Sequence, residues 1–100
     1  MVMIATTMSA TVILPEGSIE AMALPRDDAK RLAILQQIVG GYIEAVALPG
    51  SRYMVINENG KDGPHTINQA ATAIAHEAQA IMLSDYIAGP AIVISQDDLQ

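Results

Sequence analysis

The chain contains no cysteine, no phenylalanine and no tryptophan, and only five of its 100 residues are basic. Without cysteine there is no disulfide, thiolate nucleophile, iron–sulfur cluster or Cys-type zinc site, and the simplest compartment is the cytoplasm. Without Phe and Trp the core must be assembled from Ile, Val, Leu, Ala and six Met, an adaptable packing with little aromatic anchoring. The shortage of bases against eleven acids leaves a net charge of −6. That balance opposes binding to a phosphate backbone, which is driven by Lys and Arg neutralisation, so no nucleic-acid partner is expected. Acidity of this kind keeps a Met-rich domain soluble. Long apolar runs are missing as well. The richest, residues 80–95, is interrupted by Asp85 and falls short of the roughly 20 residues of a membrane helix. Residues 1–10 lack a basic segment and a sustained apolar run and do not read as a secretory signal. A soluble protein of the cytoplasm, without a membrane partner, is the expectation.

What is present is apolar residue at 51% of a length that suits one core and not two. Ala10-Thr11-Val12-Ile13-Leu14 is β-branched and apolar, residues 18–24 alternate weakly, and Pro15-Glu16-Gly17 between them has turn chemistry, which predicts a hairpin. Pro25 ends its second strand. Asp27 and Asp28 then suit the start of a helix over 27–39, because exposed N–H groups and the dipole favour acids there. Leu32, Leu35 and Val39, widened by Ile34 and Ile38, recur at helical spacing, leaving Lys30, Arg31, Gln36 and Gln37 in water. Gly40 suits the left-handed residue beyond that helix, and Gly41 lets a strand follow without a loop.

Residues 42–48 and 52–57 flank Pro49-Gly50-Ser51, a second hairpin signal. The stretch 58–64 is polar and Gly-rich, and predicts an exposed loop with a tight turn at Asn59-Gly60 in positive φ. Asn68 is placed to cap an alanine-rich helix running to about Ala80, with Ala71, Ile74, Ala75, Ala78 and Ile81 on one face. A short apolar strand over 91–95 closes the domain. The order is ββαββαβ, an α+β class with a mostly antiparallel sheet of about five strands and two helices packed on one face. The expected organisation is a flexible extension over 1–9, a single domain over 10–96 and a polar tail over 97–100. Met1–Thr7 reads as a frayed extension or the product of an upstream start codon.

The run Leu35-Gln36-Gln37-Ile38-Val39-Gly40-Gly41-Tyr42-Ile43-Glu44-Ala45-Val46, then Val55-Ile56-Asn57-Glu58-Asn59-Gly60-Lys61, Asn68 with Ala71-Thr72, and Ile87-Ala88-Gly89-Pro90-Ala91-Ile92-Val93 carry a resemblance. Together they resemble a small domain of unknown function found in bacteriophages and actinobacteria, over nearly all of 10–95. In that family an acidic Asn-Glu loop ending in Gly-Lys leads through a proline to an asparagine. Pro64 and Asn68 match it with a longer spacer, leaving His65-Thr66-Ile67 without a counterpart. The resemblance implies a phage or mobile-element setting and no established activity.

Chemistry-bearing patterns are sparse. His76-Glu77 begins an HExxH zinc motif, but Ala80 stands where the second histidine belongs. His65, His76 and Asp85 form at most a loose group of titratable side chains, and solvated histidines are the expectation. Gly60, Lys61 and Gly63 lack the spacing of a P-loop. Arg26, Lys30 and Arg31 mix with Asp27 and Asp28 as a solvated face without aromatic residues to stack bases. Glu44, in a strand between Tyr42 and Val46, is expected to be an exposed charge paired across the hairpin with Arg52. No second catalytic group falls at a matching position, so no catalytic residue, metal or cofactor is assigned. The candidates for ligand or partner binding are Tyr42, Glu44, Asn57, Glu58, Lys61 and Asn68.

The function expected is that of a non-enzymatic interaction protein of bacteriophage or mobile-element type, binding a host or phage protein in the host cytoplasm. Homodimerisation through an exposed strand edge is one form of it. The alternatives are a small-ligand or enzymatic site near the 58–68 loop, and an acidic decoy of a DNA-binding protein.

Overall fold

A computed structural model describes residues 7–63 and 65–95. Five strands and two helices follow in the expected order: β1 (Thr7–Ile13), β2 (Ile19–Pro25), α1 (Asp28–Val39), β3 (Ile43–Leu48), β4 (Arg52–Asn57), α2 (Gln69–Glu77) and β5 (Ala91–Ser95). They form one antiparallel sheet in the order β2-β1-β5-β4-β3, an α+β fold with the last strand at its centre. Both hairpins form where turn chemistry placed them. Gly17 at φ 107° turns the first, and Gly50 at φ 76° with Ser51 at φ 58° turns the second.

The helices pack on opposite faces of the sheet, which corrects the expectation of one shared face. Leu35 and Val39 of α1 pack with Met8, Ala10, Val12, Leu24, Val55, Ile92 and Ile94. Ala71 and Ala75 of α2 pack with Ile13, Leu48, Met54, Ile87 and Ala91. Consecutive strand residues point to opposite faces, so Met54 and Val55, like Ala91 and Ile92, are each buried in a different layer. The physical reason lies in composition. β4 and β5 are apolar on both sides, and a strand with two apolar faces is stable only when both are covered.

Two boundaries and the burial of two α1 side chains also differ from expectation. β1 starts at Thr7 and Met8 is buried, so the domain includes residues assigned to the extension; residues 1–6 and the tail lie outside the described residues. α2 stops at Glu77, where Gln79 adopts a left-handed φ of 55°. Leu32 is 42% exposed, because the buried stripe of α1 narrows to Leu35 and Val39. Arg31 is half-buried instead of solvated. Its guanidinium donates to the Pro25 and Arg26 carbonyls and pairs with Asp28, while Arg26 Nε donates to the Thr7 carbonyl at 3.1 Å. These bases fasten the β2–α1 junction.

The helix ends follow the sequence closely. Asp27 accepts from the Lys30 N–H at 2.9 Å and starts α1. Gly40, at φ 82°, ends it, with the Gly40 and Gly41 N–H groups both donating to the Gln36 carbonyl. Gly41 has a different task. A Cβ there would sit 3.0 Å from Asn57 Nδ2, which donates to the Val39 carbonyl, one of the acceptors a helix end leaves open. Asn68 is fully buried and joins three elements. Its Oδ1 accepts from the Ala71 N–H, capping α2, while Nδ2 donates to the Ile13 carbonyl ending β1 and the Gly89 carbonyl before β5.

Two substitutions separate these roles. Gly40→Ala forces a Cβ into a left-handed residue and is expected to cost about 1 kcal/mol in urea unfolding. Asn68→Ala strands two buried carbonyls and removes a cap, with an expected cost of about 3 kcal/mol. An Asn68→Ala protein as stable as Gly40→Ala would remove Asn68 from its place as the junction.

Candidate functional site

The candidate site stands at the end of the sheet where β3 begins and β4 ends. The turn after β4 is built by Asn57, whose Oδ1 accepts from the Asn59 N–H at 2.7 Å, and by the Gly60 N–H donating to the Asn57 carbonyl at 3.1 Å. Gly60 is buried and is absent from the positive-φ glycines, contrary to the expectation for Asn59-Gly60. Its requirement is close approach: a Cβ would lie 2.8 Å from the Ala88 carbonyl oxygen. The loop is thereby pressed against residues 85–88.

That segment is fixed from the other side by α2. Thr72 Oγ1 accepts from the Ile87 N–H at 2.9 Å, and the Asn68 N–H donates to the Ile87 carbonyl at 2.8 Å. His76 Nε2 lies 2.7 Å from the Asp85 carbonyl, which only accepts, so the ring carries its proton on Nε2. His76 is therefore held by the backbone of the segment, not solvated on an open helix face. His65 stands apart, beside Gly63 and Gly89. Among the described residues no three of His, Cys, Asp and Glu are placed to hold a metal ion.

Between these walls lies a cleft of about 260 Å³, lined by Glu44, Asn57, Glu58, Lys61, Asp85 and Tyr86 among others. Four of the six sequence candidates meet here: Glu44, Asn57, Glu58 and Lys61. Asn57 is 7% exposed with its amide engaged on both sides. Asn68 is the buried junction beneath and lines no part of the cleft. Tyr42 lies outside the cleft, 71% exposed, next to Gly41. Glu44 is exposed, as expected, but faces Ile56 across the hairpin; Arg52 faces Leu48 and donates to the Pro49 carbonyl.

Sequence reasoning missed Tyr86 and the full role of Asp85. Lys61 Nζ bonds Asp85 Oδ1 and stands 4.9 Å over the Tyr86 ring, and the Tyr86 N–H donates to the same carboxylate oxygen at 2.8 Å. The hydrogen bond to Asp85 raises the pKa of Lys61, with lesser help from the charges of Tyr86 and Glu44. The hydrogen bond from Lys61, then that from the Tyr86 backbone, lowers the pKa of Asp85. A spacing of 24 positions between Lys61 and Asp85 leaves no local signal in the sequence.

Along β3 the geometry is of another kind. The Glu58 N–H donates to the Tyr42 carbonyl, so in the antiparallel alternation Tyr42, Glu44, Val46 and Leu48 turn their backbone groups toward β4. Ile43, Ala45 and Ala47 turn theirs outward, and among the described residues no further strand pairs with β3. Beside that edge a turn closed by the Asp85 N–H on the Met82 carbonyl exposes Met82 at 76% and Leu83 at 86%.

Sheet, helices and cleft define a small α+β domain in which an edge strand and a polar cleft adjoin. More particularly, residues 8–99 match the family model described as "Domain of unknown function (DUF3846)", and the chain belongs to that family. No curated protein and no solved structure matches it. No helix among the described residues is long and apolar enough to cross a membrane.

The Lys61–Asp85 pair has a measurable titration. A lowered Asp85 pKa means its contribution to stability is present above the ordinary aspartate range and lost as pH falls through the folded value. A raised Lys61 pKa means the lysine's contribution is lost as pH rises through its folded value. Both side chains are solvent-accessible, so the effect on stability is small. In Lys61→Met the carboxyl-carbon NMR titration of Asp85 is expected to move upward, yet stay below the ordinary range because the Tyr86 N–H remains. An unchanged midpoint would show that the pair does not form in solution.

Proposed function

We propose that the chain is a non-enzymatic interaction protein of bacteriophage or mobile-element type, which binds a host or phage protein by taking a strand of it onto the free edge of β3. The observation that carries this reading is the outward-turned backbone of Ile43, Ala45 and Ala47 beside exposed Met82 and Leu83. An unpaired strand edge is a template for another chain, and main-chain hydrogen bonds there supply affinity while neighbouring side chains supply selection. Ala45 and Ala47 are exposed methyl groups that leave the approach open. The phage or mobile-element setting, and with it the host cytoplasm, rests on the sequence resemblance.

A second reading, a small polar ligand seated between Glu44, Asn57, Glu58 and Lys61, is favoured by the convergence of those four on one cleft. That cleft falls just under the roughly 300 Å³ at which ligand pockets begin, and its lysine is already paired with Asp85. Strand addition therefore accounts for more of the surface.

Ala45→Pro separates the two. Its N–H faces outward, so proline removes no hydrogen bond within the sheet, and proline is tolerated on edge strands at such positions. The variant is expected to unfold at nearly the wild-type urea concentration and to lose the protein that wild type captures from host lysate. A partner recovered equally by both variants counts against strand addition, and recovery of nothing by wild type counts against protein binding.

A further inference from the structure

The chemistry of the strand that β3 accepts follows from the groove beside it. About 610 Å³ of open space runs between the outer edge of β3 and the segment from Gln79 to Met82. One wall is the edge of β3 with the side chains of Glu44 and Val46, and the other carries Ile81 and Met82. An added strand lies about 4.8 Å from β3, and those of its side chains that stand opposite Glu44 and Val46 point into this groove. The groove contains two carboxylates, Glu44 and Asp85, and no cation. Asp85 is already paired with Lys61, whereas Glu44 belongs to neither ion pair among the described residues.

We infer that the occupant is an extended segment of a partner protein in which a basic and an apolar residue stand two positions apart, so that both side chains point into the groove, the basic one meeting Glu44 and the apolar one, opposite Val46, resting against Met82. This rests on the strand-addition reading. Charge complementarity selects it over a second copy of this chain. Two copies paired about Ala45 would satisfy their edges, but Glu44 would face Val46 of its symmetry mate, so neither carboxylate would gain a cation. Each copy also carries a net charge of −6, so their approach is repulsive at low salt. A basic strand meets the same backbone groups and brings a cation to Glu44, which Lys61 reaches only at a distance because it is bonded to Asp85.

The test uses the whole chain, isotope-labelled for NMR, and two acetylated eight-residue peptides, one repeating Lys-Thr-Val-Thr and one repeating Glu-Thr-Val-Thr, so that the charged residue and Val share one face of the added strand. The Lys peptide is expected to shift the resonances of Ile43, Ala45, Ala47, Met82 and Leu83, and to bind several-fold more weakly at ~1 M salt than at ~0.1 M, as screening shortens. Glu44 is exposed, so Glu44→Lys folds, and it should weaken the Lys peptide roughly fivefold while strengthening the Glu peptide. Ala45→Pro should abolish binding of both. Equal affinity for the two peptides, or shifts confined to Lys61 and Tyr86 in the cleft, overturns the inference. So does a concentration-dependent dimer that Ala45→Pro makes monomeric, which would assign the edge to a second copy. If neither peptide binds but Ala45→Pro still loses the partner captured from lysate, the basic chemistry falls and strand addition stands. If the variant keeps that partner too, both fall.

Discussion

One buried amide ties α2 to the sheet and to the segment that leads into its central strand. Asn68 has no exposed surface, and its two polar atoms reach the last carbonyl of β1, the carbonyl before β5 and the first turn of α2. A buried polar group is tolerated only when its hydrogen bonds are made, and a network of this kind fixes one arrangement because any displacement leaves donors or acceptors unmet. From this point α2 descends over one face, and β5 enters the middle of the sheet between the two hairpins. The central strand is thus delivered by a side chain, not by a hairpin turn.

The candidate surfaces follow from that delivery. β5 returns from residues 85–90, so this segment must climb back beside β3, where Gly60 closes against Ala88 and Lys61 reaches Asp85. The cleft is the space left between that segment and the start of β3. The same route carries Met82 and Leu83 out beside the β3 edge, where burial against the sheet is unavailable to them. Because β5 fills the centre, β2 and β3 become the edges, and β3 is the one that stands beside Met82 and Leu83, with Glu44 and Asp85 at the groove between them.

Much of the fold was legible in the chain. Turn glycines gave both hairpins, Asp27 and Gly40 bracketed α1, and Asn68 was recognised as a cap from its place before an alanine-rich stretch. The side on which each helix packs was misjudged, although a signal existed. The runs Met54-Val55-Ile56 and Ala91-Ile92-Val93-Ile94 are continuously apolar, a pattern of strands covered on both faces. Gly60 was assigned a positive φ because Asn-Gly turns commonly use one; its actual constraint is a carbonyl 28 positions later, which no local rule can report. Four of the six candidate residues share the cleft because they flank a single loop and strand end, whereas Tyr86 entered only through its contact with Lys61.

The sequence by itself determined the elements, their caps and their antiparallel hairpins, because those depend on backbone preferences and on neighbours a few residues away. It also determined the acidity and the absence of a thiol or an aromatic core. Only the tertiary structure decided that the last strand lies between the first and fourth, that the helices cover opposite faces, and that among the described residues β3 keeps an unpaired edge beside an acidic groove. Those outcomes depend on Asn68 reaching Ile13 across 55 positions and on Lys61 meeting Asp85. Contacts at such separations are set by which arrangement buries both faces of the sheet and leaves no buried donor unpaired.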